Sequence, residues 1–261
     1  MATIETEIVD GIAVVTLNRP EVLNAWTMAM QRQIVEIVRG YSGDPQVSAV
    51  VITGAGSKAF CAGQDLNESA ALTESDVDSW LDNFLQVYDA ILSCRKPVSA
   101  ALNGVAAGSG YQLSRVCDVR VAHEGVRIGQ PEVKSGIPSV TGEYLTNLSL
   151  GHSRTVELML SGRLMESNEA HSVGIIHKIV PEESVLDTAI EYGRALAAQP
   201  KLAFELTKRN IRDRLWPGLV ASFAAGADLD KEAWASGEPR ETAKKFFEER
   251  TNRKAAVSAR H

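Results

Sequence analysis

The segment from Asn103 to Gln112, NGVAAGSGYQ, has three glycines within seven residues and lies between two apolar runs. A strand that enters a glycine-rich turn and then a helix directs unpaired backbone N–H groups at one point. The helix dipole adds partial positive charge there, which suits an anion or an oxygen that becomes negative during a reaction. Gly108 and Gly110 permit unusual dihedral angles and a close approach of a ligand to the main chain. The segment therefore predicts a site in which the backbone itself takes part in the chemistry.

A second segment, AFCAGQDL from Ala59 to Leu66, follows the apolar run AVVITG and again places small residues and a glycine in a loop after a strand. Two such loops, after two successive strand–helix units, could each bring one N–H group to a single oxygen. Either loop alone would more often be a structural turn than a site.

The glycines do not match the common nucleotide or nucleophile motifs. In GSGYQL, Leu113 stands where a dinucleotide fingerprint has its third glycine. The run TGAGSK is too short between glycine and lysine for a phosphate loop. Ser109 is flanked directly by glycines, whereas a nucleophile elbow has a spacer on each side of its serine.

Composition indicates a globular protein of 261 residues, with 44% hydrophobic and 23% charged residues. A net charge of −6 and a pI near 5.5 argue against a nucleic-acid partner. No apolar run approaches the length of a membrane span, and the N-terminus resembles neither a secretory signal nor a transit peptide. The cysteines, Cys61, Cys94 and Cys117, lack metal-like spacing and favour reduced thiols in the cytoplasm.

Basic residues gather near the C-terminus and allow two interpretations. They are Lys244, Lys245, Arg250, Arg253, Lys254 and Arg260. They could form the solvated face of an amphipathic helix, or a local site for phosphate groups.

The N-terminal part of the chain alternates predicted strands with predicted helices, which favours an α/β fold built from parallel crossover units. Asp10-Gly11 predicts a β-hairpin. Asn24 is a plausible cap for a helix that runs to Arg39 and stops at Gly40. Thr73 or Ser75 is expected to cap a second amphipathic helix.

After about residue 148 the pattern is mainly helical, with one predicted strand, IIHKIV. We expect residues 1–195 to form a sheet-containing core with the ligand site, and residues 196–261 to form a helical region.

The chain as a whole resembles the crotonase (enoyl-CoA hydratase/isomerase) superfamily. The matching segments are VTLNRPEVLNAW, VVITGAGSKAFCAGQDL, PVSAALNGVAAGSGYQLSRVCDVRVA, IGQPEVKSGIPS, LSGRLMESNEAHSVGIIHKIVP and LAAQPKLAFELTKRNI. The resemblance implies a spiral of ββα units with a C-terminal helical region that packs on neighbouring subunits, giving homotrimers or homohexamers. In such an assembly Phe246, Phe247 and the basic residues beyond them would complete a neighbour's coenzyme A site.

The resemblance also implies roles for four residues. The backbone N–H groups of Gln64 and Ser109 would bind the thioester carbonyl of an acyl-CoA and stabilise its enolate. Hydratases of the family use two glutamates, at the positions of Gln112 and Glu132. Because glutamine cannot ionise, Glu132 would be the single acid/base here; the alternative is that Glu132 caps a nearby turn.

A second departure from the family pattern lies in GIPSVTGEYLTNL, which makes Glu143 and Tyr144 unusual. Glu143 could supply a second carboxylate from a new position, or it could simply interact with a helix dipole in the first turn of a helix. Tyr111 is expected in the site or in the core.

Residues at matching positions are expected to contact coenzyme A: Ala25, Ala62, Asp65, Leu66 and Gly108. Asp65 could instead cap the following helix. No metal or redox cofactor is indicated, and coenzyme A would enter as part of the substrate.

The expected function is therefore hydration or isomerisation of an enoyl-CoA through an oxyanion-stabilised enolate. Within the family the alternatives are acyl-CoA hydrolysis, hydratase-lyase cleavage and decarboxylation. A different class, a non-catalytic acyl-CoA-binding or RNA-binding protein, is the further alternative.

Overall fold

The strands form a large and a small sheet in the computed structural model, which describes residues 3–258. The large sheet has the order β1-β2-β3-β5-β7-β10; β1 and β2 are antiparallel and the other pairs are parallel. Its strands are β1 (Ile4–Val9), β2 (Ile12–Leu17), β3 (Ala49–Gly54), β5 (Val98–Leu102), β7 (Val119–Ala122) and β10 (Lys178–Ile179).

The small sheet has the order β4-β6-β8-β9, and β4, β6 and β8 run parallel to one another. Its strands are β4 (Ala59–Cys61), β6 (Val105–Ala107), β8 (Arg127–Gly129) and β9 (Leu164–Glu166). Each of β3, β5 and β7 in the large sheet is followed by one strand of the small sheet and then by a helical segment. This is the expected repeat of ββα units, with the C-terminal helical region beyond it.

The hairpin predicted at Asp10-Gly11 is confirmed. Both residues have positive φ, 49° and 77°, as a type I′ turn requires.

Helices cover the sheets and make up the C-terminal region. They are α1 (Met28–Gly43), α2 (Leu66–Ala71), α3 (Val77–Leu92), α4 (Ser109–Val116), α5 (Val140–Ser161), α6 (Ser167–Ser172), α7 (Val185–Ala197), α8 (Lys201–Ser236) and α9 (Glu238–Ser258). Residue 195 lies in the last turn of α7, and the division of the chain there stays a prediction.

The bounds predicted for the first helix are wrong. Its cap is Thr27, whose side chain accepts a hydrogen bond from the Met30 N–H, and the helix continues past Gly40 to Gly43. Asn24 instead adopts a left-handed conformation, φ 54°, which asparagine tolerates better than most residues. Its side-chain amide donates to the Ala59 carbonyl at 2.7 Å and so ties this turn to the start of β4.

The second helical segment begins near its predicted cap. Thr73 forms a capping box with Asp76 over a 3₁₀ turn, and α3 follows directly.

The described helices include none that is both long and apolar enough to span a bilayer. α8 is a single helix of 36 residues with Pro217 inside it.

Candidate active site

Three loops meet at one end of the small sheet. They are residues 62–64 after β4, residues 108–109 after β6 and residues 130–132 after β8. Because β4, β6 and β8 are parallel neighbours, their carboxyl ends lie side by side, where ligands bind in many parallel sheets. The two glycine loops and the glutamate singled out from the sequence therefore come together.

Glycine is required at two places in these loops and at a third place in the first turn of α4. Gly63 and Gly108 have positive φ, 104° and 58°, which side-chain-bearing residues rarely adopt. Gly110 has no such φ, but a Cβ there would lie 2.2 Å from the carbonyl oxygen of Cys61. The absence of a side chain at Gly110 lets the start of α4 pack directly on β4.

The backbone N–H groups of Gln64 and Ser109 are available to a ligand. In the β-bridge to this loop, Trp26 donates to the Gly63 carbonyl and accepts from the Asp65 N–H, so the bridge does not use the Gln64 N–H. Ser109 is the first residue of α4, where N–H groups have no partner within the helix. A Cβ placed on Gly63 would lie 3.5 Å from the Ser109 nitrogen, which shows how closely the two loops approach.

The side chains of these two residues are already bound within the protein. The Ser109 hydroxyl accepts a hydrogen bond from the Trp26 indole at 2.8 Å. The Gln64 amide accepts from Gln31 and donates to Glu68. Only the main chain of the two loops is left to face a ligand, as the sequence suggests.

Glu132 is the first residue of a 3₁₀ turn and lines the same cavity. The residue as a whole is partly exposed, and one of its carboxylate oxygens lies against Gly108, where a Cβ would be 3.0 Å away. Burial raises the pKa of this carboxyl to about 8. Hydrogen bonds from its own N–H and from Gln112 oppose the increase in pKa, whereas the charge of Asp230 adds to it. Glu132 is therefore placed as an acid/base with a pKa near neutrality.

Gln112 is held as a hydrogen-bond donor beside Glu132. Its amide oxygen accepts from the Tyr88 hydroxyl at 2.8 Å and from the Thr141 hydroxyl at 2.9 Å. With its oxygen fixed in this way, its NH₂ group faces the neighbouring side chains of Gln130 and Glu132.

Gln130 was not identified from the sequence. Both of its polar atoms are satisfied when its nitrogen faces Glu132, at 2.7 and 2.9 Å from the two carboxylate oxygens, and its oxygen accepts from Gln112 at 2.8 Å. Gly142 makes room for it, since a Cβ there would lie 1.3 Å from the end of the Gln130 amide that carries the oxygen in this orientation. A glutamine before a proline carries no sequence signal of such a role.

The cavity of about 110 Å³ in front of Glu132 has one wall of aromatic and aliphatic side chains and one of main chain. Its lining includes Ala62, Gly63, Gln64, Leu66, Trp80, Leu81, Phe84, Gly108, Ser109, Gln112, Glu132, Val140, Thr141 and Asp230. Asp230, on α8, is only 4% exposed and supplies a second carboxylate that was not identified from the sequence. Burial raises the pKa of Asp230 to about 7.

Glu143, the carboxylate suggested from the sequence, is not among the residues that line this cavity. It is half-buried in the first turn of α5, where the dipole interpretation applies. Tyr144 packs on α8 and donates to the Leu215 carbonyl at 3.3 Å. Tyr111 is fully buried in the core and hydrogen-bonds to Thr146 at 3.0 Å.

The residues expected to contact coenzyme A fall into two groups. Ala62, Leu66 and Gly108 line the cavity. Asp65 caps α2 and pairs with Arg19 at 2.8 Å, which agrees with its alternative interpretation. Ala25 is not among the residues that line the cavity, and its carbonyl oxygen accepts from the same arginine.

A second cavity adjoins the first and shares Leu66, Ser69, Pro131, Ser135 and Ile137 with it. Its outer wall comes from α9 of the same chain, including Lys245 and Phe246. Of the other C-terminal basic residues, Arg260 lies outside the described residues.

Comparison with known proteins identifies the family. Residues 7–254 match the enoyl-CoA hydratase/isomerase family. A probable enoyl-CoA hydratase of Mycobacterium bovis is 32% identical over 226 residues, which cover 84% of this chain and 87% of that protein. The mitochondrial enoyl-CoA hydratase of Pongo abelii is 31% identical, with 86% of this chain and 76% of that protein covered.

Solved structures agree with the fold. An enoyl-CoA hydratase/isomerase from Mycobacterium paratuberculosis superposes with a TM-score of 0.85 at 25% identity, covering 93% of this chain and 98% of that one. An enoyl-CoA hydratase/isomerase from Xanthobacter autotrophicus Py2 gives a TM-score of 0.84 at 26% identity, covering 99% and 97%. The chain therefore belongs to the enoyl-CoA hydratase/isomerase family of the crotonase superfamily, as its glycine loops predict.

Proposed function

We propose that this enzyme isomerises the double bond of an enoyl-CoA, with Glu132 as the single acid/base and the N–H groups of Gln64 and Ser109 as the oxyanion site. One observation carries the proposal: a carboxylate with a pKa near 8 lies in the same cavity as two loops with unengaged backbone donors. A carboxylate and an oxyanion site in one small cavity are what proton transfer next to a thioester requires.

The reaction follows from this arrangement. The thioester oxygen accepts hydrogen bonds from the two N–H groups, which increases the acidity of the protons on the adjacent carbon. Glu132 removes one of these protons, and the electron pair moves into the carbonyl to give an enolate, extended by the neighbouring double bond. The protonated Glu132 then returns the proton to the far carbon of that double bond. Preorganised donors of this kind typically contribute about 3–4 kcal/mol each to transition-state stabilisation.

Gln112 favours isomerisation over hydration. Hydration needs a group that takes a proton from water while another protonates carbon, and the amide of Gln112 cannot ionise. Its oxygen, moreover, is already occupied by Tyr88 and Thr141. Gln112 is therefore suited to orient Glu132 through its NH₂ group, and one carboxylate is enough to move a proton between two carbons.

Coenzyme A would enter through the second cavity. The apolar side chains of Leu66 and Ile137 line both cavities and suit the pantetheine arm. Lys134 and Lys245 line this second cavity and supply positive charge for phosphate groups. Coenzyme A is then part of the substrate, and the proposal needs no further cofactor.

A mass-spectrometric assay tests the reaction. Incubation with a 3-enoyl-CoA should give the 2-enoyl isomer at unchanged mass, identified by its chromatographic retention and ultraviolet absorbance. Glu132→Gln should lose this turnover while retaining affinity for a saturated acyl-CoA. Glu143→Gln is the matched control and should remain active. Rapid addition of water to crotonyl-CoA, without isomerisation, would assign hydration instead.

Assembly and location are proposed with the same enzyme. α5 and α8 carry large exposed apolar side chains: Leu148, Leu160, Leu202, Leu206 and Ile211. Such surfaces are typical of subunit contacts, and we expect a homotrimer or homohexamer, with no nucleic-acid partner. A molar mass of a single chain, measured by light scattering, would contradict this assembly. The buried, reduced Cys61, Cys94 and Cys117 suit a cytoplasmic enzyme.

A further inference from the structure

Some buried polar atoms without hydrogen-bond partners belong to residues that line the acyl cavity, which is the cavity in front of Glu132. Among the described residues, eight buried side-chain nitrogen or oxygen atoms have no partner, and three of these belong to residues that line this cavity. They are the indole nitrogen of Trp80, the hydroxyl of Ser139 and one carboxylate oxygen of Asp230. Buried polar groups are normally paired, so unpaired ones on residues that line a cavity point to a ligand that pairs them.

Asp230 occupies a position that the helix pattern reserves for apolar residues. The buried stripe of α8 comprises Leu219, Phe223, Gly226, Asp230 and Trp234. On one side of Asp230, Phe223 packs on Tyr88 with ring centroids 5.7 Å apart. On the other side, Trp234 packs on Trp80 at 5.1 Å. The carboxylate thus lies within an aromatic contact between α3 and α8, where an unpaired charge is costly.

Structural roles for this carboxylate are not supported. Asp230 lies six residues before the end of α8, so it caps neither end of the helix. The described ion pairs of this region join Lys231 to Asp78 and leave Asp230 out. Gly226, one turn before Asp230 on α8, lines the same cavity.

We propose that Asp230 and the Trp80 indole form a polar subsite for a hydroxyl group on the acyl chain, so that the enzyme prefers hydroxylated acyl-CoA thioesters. A hydroxyl can donate to the Asp230 oxygen and accept from the Trp80 N–H, which satisfies both unpaired atoms. A carboxylate on the acyl chain would be repelled by Asp230, and an ammonium group could not accept from Trp80. Leu81 and Phe84 would contact the apolar part of the same chain.

This substrate class rests on the proposed function for its chemistry, but its test is independent of turnover. Calorimetry would measure binding of saturated acyl-CoAs of four, six and eight carbons, each with and without a terminal hydroxyl. For the chain length that reaches Asp230, we expect the hydroxylated compound to bind about tenfold or more tightly than its unsubstituted counterpart. Equal affinities within every pair would overturn the proposal, even if the enzyme isomerises enoyl-CoA.

Variants separate recognition from chemistry. Asp230→Leu should abolish the preference and tighten binding of the unsubstituted compound, and Asp230→Asn should retain much of the preference. Asp228→Leu changes an exposed acid on the same helix and should leave the preference unchanged. Trp80→Phe should reduce the preference by removing the indole donor.

Turnover of an unsubstituted 3-enoyl-CoA tests whether Asp230 takes part in the reaction itself. If Asp230→Asn loses this turnover as completely as Glu132→Gln, while its binding preference is unaltered, Asp230 acts on protons in the reaction and the subsite proposal is wrong. If the wild-type enzyme shows the hydroxyl preference but no turnover at all, the proposed function fails and the subsite stands.

Discussion

Burial affects the pKa of Glu132 more than the hydrogen bonds that its carboxylate accepts. Its carboxylate accepts from the Gln130 amide and lies next to the Gln112 amide, yet burial still raises its pKa to about 8. Asp230 is a like charge within the same cavity, while Tyr88 and Tyr111 are the titratable core side chains influenced by Glu132. The residue is therefore mostly protonated at neutral pH in the free enzyme.

This protonation predicts the pH dependence of turnover. A reaction that begins with proton removal by Glu132 needs the ionised form, whose fraction grows about tenfold per pH unit below the pKa. We expect kcat/KM for a 3-enoyl-CoA to increase from pH 6, to reach half of its maximum near pH 8 and to level off above about pH 9, as assays at fixed pH values across this range would measure. Asp230→Asn removes the like charge, so the midpoint of its profile should move to lower pH. A profile that is flat between pH 6 and 8 would exclude Glu132 as the base.

The loops that carry the site were predictable from sequence, but the sheet that positions them was not. The glycines after Cys61 and Ala107 and the glutamate in GQPEV stand out in the printed chain. β4, β6 and β8 have only three residues each, too few for an alternating pattern to appear. Their pairing depends on contacts between distant segments, which residue types alone do not reveal.

The spacing in α8 places Asp230 on a buried helix face, but it does not show that this face closes a cavity. Leu219, Phe223, Gly226 and Trp234 follow the spacing of one buried helix face, and Asp230 falls on that face. A single aspartate within an amphipathic helix is ordinarily assigned to the solvent side. Only the packing of α8 on α3 shows that this face closes a cavity, and no spacing within α8 predicts that partner.

At the level of elements, the contact between α4 and β4 has a direct test. Gly110→Ala would place a Cβ 2.2 Å from the Cys61 carbonyl oxygen, and because that atom is backbone, the loops must shift apart. We expect a loss of about 1–3 kcal/mol in the free energy of unfolding, together with weaker turnover because the two N–H donors lie on these loops. Denaturant unfolding and acyl-CoA turnover would measure both effects.

The control is Gly40→Ala on the exposed face of α1, where a Cβ meets no atom within 4 Å. That change should stabilise the protein by about 0.5–1 kcal/mol through helix propensity, with turnover unaltered. Equal stability and activity in Gly110→Ala and Gly40→Ala would show that close packing of α4 on β4 does not hold the site.

Across the whole molecule, the active site lowers stability as pH rises. The carboxyls of Glu132 and Asp230 have ordinary pKa values of 4.5 and 3.8, and burial raises these to about 8 and about 7 in the folded enzyme. Between about pH 4 and pH 8 the unfolded chain has released protons that the folded protein still holds. Their contribution to stability is therefore fully present below pH 4 and is lost as pH rises through 7 and 8.

Removing either carboxyl should reverse this loss. Glu132→Gln and Asp230→Asn should each exceed the wild type in free energy of unfolding at pH 8.5, by on the order of a few kcal/mol, and the difference should shrink at pH 5. Asp228→Asn, at an exposed position of α8, should follow the wild type at both pH values. Urea unfolding of the four proteins at the two pH values measures these free energies.

A gain of the same size at both pH values would mean that the substitutions improve packing and that the buried carboxyls do not titrate near neutrality. A gain confined to high pH would show that this enzyme keeps two unfavourable carboxyls in its acyl cavity at a cost in stability, because substrate recognition and proton transfer depend on them.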